Sequence, residues 1–165
     1  MSMSLAALGW LFTVGVLVHN AEEALWLPAW SARAIRWYRP VPAPVFRFAA
    51  AVLSLAFLAL TLVATLSPAG SVAAYLMAGY ALAMLLTVLV PQAQATVAWR
   101  RYMPGTATAV FLNLPLGLWY LRQALAQRFI KPQVFRWAGP LVVAGLLVAM
   151  PMLFALGRAA RRIKP

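Results

Sequence analysis

Apolar residues fall in five runs, at about 5–27, 45–66, 71–98, 106–121 and 138–157, with the polar residues gathered between them. Each run meets, or nearly meets, the ~20 residues a helix needs to cross ~30 Å of hydrocarbon. The pattern predicts an all-α fold: a polytopic transmembrane helical bundle of about five spans, forming one domain over residues 1–165. The fourth run is the shortest and carries Pro115 at its middle. If it re-enters without crossing, the bundle has four spans.

Prolines shape the runs. Pro91, Pro140 and Pro151 lie in or at the ends of spans, where membrane helices tolerate them if neighbours satisfy the freed carbonyl. Kinks near Pro91 and Pro115 are expected to open space in the bundle. Pro40, Pro42 and Pro44 form a stiff non-helical turn into the second span. The first run has no basic leader, carries polar residues in its second half and is followed by no small-residue cleavage site, so a retained span is expected and the whole chain should be mature protein.

Composition agrees with the pattern. The chain is 65% apolar and 10% charged, with a mean hydropathy of +0.85, against roughly 25% charged residues in an ordinary soluble domain. These values define an integral membrane protein. Fourteen Lys and Arg against two acids give a net charge of +12, and the positives lie between the runs. They read as topology determinants and partners of lipid headgroups, not as a nucleic-acid surface, which would need a soluble scaffold.

With five spans, Arg33, Arg36, Arg39, Arg47, Arg100, Arg101, Arg158, Arg161, Arg162 and Lys164 share one side, and Arg122, Arg128, Lys131 and Arg136 face the other. The positive-inside rule then puts the N-terminus outside a bacterial inner membrane and the C-terminus in the cytoplasm. The fourth loop is the exception to the rule. Most tryptophans and tyrosines cluster at span ends, at headgroup depth. Gly9, Gly15, Ala50, Ala56, Gly79 and Ala83 allow close helix approach, and membrane lipid and a homo-oligomer are the partners to expect.

The chemistry concentrates in five positions. His19, Asn20, Ala21, Glu22 and Glu23 hold both acids and the single histidine of the chain, although a charged group costs ~2.5 to 3.5 kcal/mol near the bilayer centre. On a helix Glu23 lies about 40° from His19, and Glu22 about 60° to its other side, so the three share a face from which Asn20 points away. The cluster sits ~5 to 10 Å from the span midpoint, towards the first loop.

Three readings stay open. The glutamates could pair with Arg33, Arg36, Arg100 or Arg101 in a non-catalytic structural or assembly protein, with His19 a hydrogen-bonded core residue. His19 and Glu23 could ligate a divalent metal, with Glu22 as ligand or base. One imidazole and two carboxylates leave such a sphere incomplete, so Gln92, Gln94, Asn113, Tyr80, Thr87 and Thr96 are the polar residues available to complete it. A buried carboxylate beside an imidazole could also move a proton, in an intramembrane isomerase acting on a lipid-soluble ligand or in a small proton-coupled carrier. The absence of cysteine excludes a disulfide framework, a thiolate metal site and a thiol nucleophile.

The string from His19 to Glu23 resembles the defining motif of the HXXEE family, small bacterial membrane proteins of undetermined function. The string from Arg101 to Ala109, an aromatic followed by Pro-Gly and a Thr-Ala pair that opens a span, is similar to that family's second recurrent element. The resemblance implies that a further histidine often stands where this chain has Gln92, which weakens a metal site here, and that the first-span face meets the third span near Pro91. On its own chemistry Pro104-Gly105 fits a tight turn, with Thr106 placed to cap the next helix. The functional centre to expect is therefore His19, Glu22 and Glu23, faced by Gln92, Gln94 and Asn113.

Overall fold

The structure, a computed structural model, describes residues 3–34, 40–88 and 102–162, without the side chains of 161 and 162. Its helices are α1 (Leu5–Arg33), α2 (Ala43–Leu66), α3 (Val72–Thr87), α4 and α5 (Pro132–Arg162). Helix α4 is built from a helical turn at Thr106–Thr108, a wide π turn at Ala109–Asn113 and a regular segment at Leu114–Ala126. Three segments, Leu5–Arg33, Ala43–Leu66 and Pro132–Ala160, are long and apolar enough to cross a membrane. The chain is an all-α membrane bundle.

Helix α1 starts where Ser4 accepts a hydrogen bond from the Ala7 N–H at 3.2 Å. It runs six residues past the expected end at Leu27, straight through Pro28. A proline inside a helix leaves the carbonyl one turn back without its donor. Here that carbonyl belongs to Ala24, and Arg47 of α2 donates its Nε to it at 3.2 Å. Arg47 is thus a structural donor as well as a basic residue at the rim. Beyond Pro28, Ser31 donates to the Pro28 carbonyl at 2.8 Å and accepts from the Val41 N–H at 3.2 Å, tying the end of α1 to the segment that enters α2.

The helices alternate in direction. Gly157 near the end of α5 lies against Val45 and Phe48 at the start of α2. At the opposite end the Gly70 N–H donates to the Phe129 carbonyl at 2.8 Å. Helix α4 runs the length of the bundle, from Thr108 beside Glu22 to Tyr120 beside Gly9, so the fourth run does not turn back. It is also longer than the expected 106–121, and the π turn precedes Pro115, which lacks the N–H that a regular turn would require. The described part of the third run ends at Val88, and Pro91 lies outside the described residues.

The core forms around aromatic side chains. Phe12 stands edge-on to Phe57 (5.7 Å, 81°) and stacks on Tyr120 (6.2 Å, 15°), while Phe57 stacks on Tyr80 (3.9 Å, 15°). Close helix approach at Gly79 is tight enough that a Cβ there would lie 2.5 Å from Val142 Cβ. Helix α5 packs on α3 and α2 and leaves Leu141, Leu147, Val148, Met152 and Leu156 exposed, as a lipid-facing helix does. Asn20, which points away from the His19 face, donates to Ser54 of α2 at 3.0 Å and is hydrogen-bonded to Tyr80 of α3. This polar clasp holds three helices at the level of the cluster.

Candidate functional site

Helix α1 brings His19, Glu22 and Glu23 to one face, and the start of α4 closes over them. The closure depends on Gly105, whose φ of +93° lies in the left-handed region and turns the chain into α4. Gly105, not Thr106, is the N-cap residue, and Thr106 is already the first helical residue. Thr108 then projects its hydroxyl between two residues of α1. Its Oγ1 is 3.0 Å from His19 Nδ1 and 2.5 Å from Glu22 Oε2, with the Gly105 carbonyl at 3.1 Å.

Glu22 is held on both oxygens. Tyr102 donates its phenol O–H to Oε1, and the backbone of Gly105 and Thr108 also hydrogen-bonds the carboxylate. The carboxylate therefore sits at the positive end of α4, where amides and helix dipole favour an anion. The Ala107 N–H donates to the Tyr102 hydroxyl at 3.3 Å, fixing the phenol in turn. Partial burial and the hydrogen bond to Glu22 hold the Tyr102 phenol above the usual tyrosine range.

His19 is 2% exposed, and its Nε2 lies 3.7 Å from Glu23 Oε1, the i,i+4 neighbour. The imidazole also hydrogen-bonds the Gly105 backbone. A run of hydrogen bonds therefore leads from buried His19 through Thr108 and Glu22 to Tyr102, which is 52% exposed. At its outer end, a groove of about 610 Å³ opens beside Glu22, walled by Trp26, Ala29, Trp30, Arg33, Tyr102 and Pro104. A second cavity, about 160 Å³, opens at the other end of the bundle near Gly9 and Thr61. Between the two stand Phe12, Val16 and Phe57, each at most 1% exposed.

Of the residues expected to face the cluster, Asn113 is buried in the π turn of α4, one turn of α1 below His19, where its Oδ1 approaches Gly15. It donates to Met84 Sδ at 3.8 Å, its Oδ1 has no hydrogen-bond partner, and it does not join the His19 network. Gln92 and Gln94 lie outside the described residues, as do Thr96, Arg36, Arg100 and Arg101. Tyr80 reaches Asn20 and lies near Glu23, whereas Thr87 turns its hydroxyl back to the Met84 carbonyl at 2.9 Å. Arg33 lines the groove without forming an ion pair among the described residues. No group of three or more His, Cys, Asp or Glu that could hold a metal occurs among the described residues.

Gly105, which sequence reasoning assigned to a structural turn, completes the site with two neighbours in the same string. Tyr102, Gly105 and Thr108 supply its second wall. The available signal was their concentration in one short string of hydroxyl, Gly and Pro residues just before an apolar run.

A helical membrane bundle with a polar His/Glu cluster closed by a Pro-Gly turn is the class that fold and site define. The chain belongs to the HXXEE family: residues 10–120 match the family described as "Protein of unknown function with HXXEE motif". It is also similar to the "Uncharacterized protein YrkK" of Bacillus subtilis (strain 168), at 28% identity over 146 residues, which cover 88% of this chain and 92% of that protein. No solved structure matches.

Proposed function

We propose that the HXXEE cluster is an intramembrane proton-transfer site serving a small or lipid-soluble ligand that enters the groove beside Glu22. The observation that carries this reading is the placement of Thr108 Oγ1, 3.0 Å from His19 Nδ1 and 2.5 Å from Glu22 Oε2. A hydroxyl so placed relays a proton without moving a heavy atom. When Glu22 is a carboxylic acid, it donates to Thr108, which donates to the Nδ1 lone pair. A shift of both protons leaves Glu22 as carboxylate and His19 as imidazolium, with Nε2 facing Glu23 and the Gly105 backbone throughout.

Thr108 thereby couples a buried base to a carboxylate at the groove. Such a pair suits general acid–base chemistry or proton-linked carriage. The arginine distribution favours a location in the bacterial inner membrane with the groove at the cytoplasmic edge. Metal ligation by His19 and Glu23 lacks a third donor of suitable type among the described residues.

The chain has one histidine, so protein labelled with ¹⁵N-histidine in lipid nanodiscs reports on His19 alone. The expected result is an imidazole that changes protonation state between about pH 4 and pH 10, with a midpoint displaced in Glu22→Gln. An imidazole that keeps one tautomer across that range, unaffected by Glu22→Gln, overturns the reading.

A further inference from the structure

We propose that the groove beside Glu22 seats a lipophilic organic monocation, whose charged group occupies the Glu22 end and whose apolar body lies over the indoles of α1. Glu22 accepts hydrogen bonds from Tyr102 and Thr108, yet forms no ion pair among the described residues. The donors around it are hydroxyls and amides, which orient the carboxylate without cancelling its charge. The open side is walled by Trp26 and Tyr102, 57% and 52% exposed, and by Trp30 one turn further on. A carboxylate bordered by aromatic rings attracts a weakly hydrated cation through both charge and ring quadrupole.

The groove also has a polarity. Glu22, Trp26, Ala29, Trp30 and Arg33 follow one another on a single face of α1, which puts Arg33 ~16 Å from Glu22 along the axis. The guanidinium repels positive charge at the rim end, so a dication is disfavoured and the single charge belongs beside Glu22. A strongly hydrated inorganic cation would lose its water to an apolar wall that offers little in return.

The inference rests on the proton-transfer reading in one respect: the cation pairs with Glu22 as a carboxylate, the form that the relay leaves when the proton stands on His19. In that transfer the Glu22 O–H and the original Thr108 O–H bonds break as a new Thr108 O–H and the His19 Nδ1–H bonds form, and seating the cation makes no covalent bond. Among the described residues, the charged and titratable groups facing Glu22 are His19 and Glu23 on α1, Tyr102 before α4 and Arg33 at the far end of the groove.

Equilibrium binding of radiolabelled tetraphenylphosphonium to the full chain in nanodiscs tests the inference. Binding is expected to saturate, to be competed by lipophilic monoamines and not by tetraphenylborate, and to tighten as the pH is raised. It is expected to vanish in Glu22→Gln, to weaken about tenfold in Trp26→Ala, the scale of one cation–π contact, and to persist in Trp137→Ala on α5. Uptake that never saturates, or is equal in wild type, Glu22→Gln and Trp26→Ala, is partition into lipid and overturns the proposal, as does preferential binding of tetraphenylborate. Trp26→Ala keeps the test decisive if Glu22→Gln fails to fold. A titrating His19 without cation binding refutes the seat alone, whereas cation binding beside a silent His19 refutes only the proton relay.

Discussion

Gly105 stands so close to Glu23 that a Cβ on its backbone would lie 2.8 Å from both Cγ and Oε1 of that side chain, and 3.0 Å from His19 Cε1. Its φ is +93° as well, so a side chain there meets backbone strain and a steric clash at once. Gly105→Ala is expected to destabilise the bundle by about 1–3 kcal/mol and to displace the imidazole. Unfolding in mixed micelles together with the ¹⁵N-histidine spectrum checks this. An unchanged midpoint and an unchanged spectrum would show that α4 does not close on α1 as described.

Thr108→Val keeps the shape of the side chain and removes the bridging oxygen. It leaves Nδ1 of a buried ring without its hydrogen-bond partner, a loss of about 1–3 kcal/mol. The more telling effect is on coupling. In wild type, Glu22→Gln is expected to move the His19 titration midpoint, and in a Thr108→Val background the same substitution should move it much less. Thr108→Ser, which restores the hydroxyl, should restore the coupling. Equal shifts in both backgrounds would mean that Glu22 acts on His19 through space and not through Thr108.

Tyr102 gives the site a marker at alkaline pH. Burial and the Glu22 carboxylate both favour the neutral phenol, so its pKa in the fold lies above the usual tyrosine value. The folded state then binds this proton more tightly than the unfolded one. The contribution to stability is fully present below the ordinary tyrosine pKa of about 10 and is lost as the pH climbs through the raised value. Glu22→Gln removes the negative charge and should bring the Tyr102 titration down towards the ordinary range, read from ¹³C-tyrosine NMR with Tyr102→Phe as the assignment control. A Tyr102 signal that titrates identically with and without the Glu22 charge would contradict the contact.

The five runs were legible because length and apolarity alone decide whether a segment can lie in hydrocarbon. The shared face of His19, Glu22 and Glu23 was legible for a similar reason, since helical geometry places residues three and four apart side by side. Sequence could not show what meets that face. Thr108 is 86 residues from Glu22 and 89 from His19 along the chain, and a threonine at the start of an apolar run looks like a cap. The reading in which arginines pair with the acids followed from their number, and of its candidates Arg36, Arg100 and Arg101 lie outside the described residues. The described contacts instead use hydroxyls and amides, with Arg33 left at the groove and Arg47 turned to a carbonyl. The small residue at Gly79 did mark a close approach, but Val142 as its partner emerges only from the packing of α5.

Pro28 shows the limit of a local rule most clearly, because the first apolar run stops just before it while α1 continues through it. The helix continues to Arg33 because Arg47 donates to the Ala24 carbonyl that Pro28 leaves open. The groove wall from Trp26 to Arg33 therefore depends on a residue of α2 that does not line it. Arg47→Met is expected to cost about 0.5–1.5 kcal/mol, one exposed hydrogen bond, and to loosen the turn that carries Trp30. Pro28→Ala returns an N–H to that carbonyl, so in a Pro28→Ala background Arg47→Met should cost less, with a coupling of a few tenths of a kcal/mol or more in a double-mutant cycle. Amide exchange across residues 24–33 is the local readout: protection there should fall in Arg47→Met and recover in the double variant. If protection is the same in all four proteins, Pro28 is bridged by packing alone and Arg47 serves only the rim.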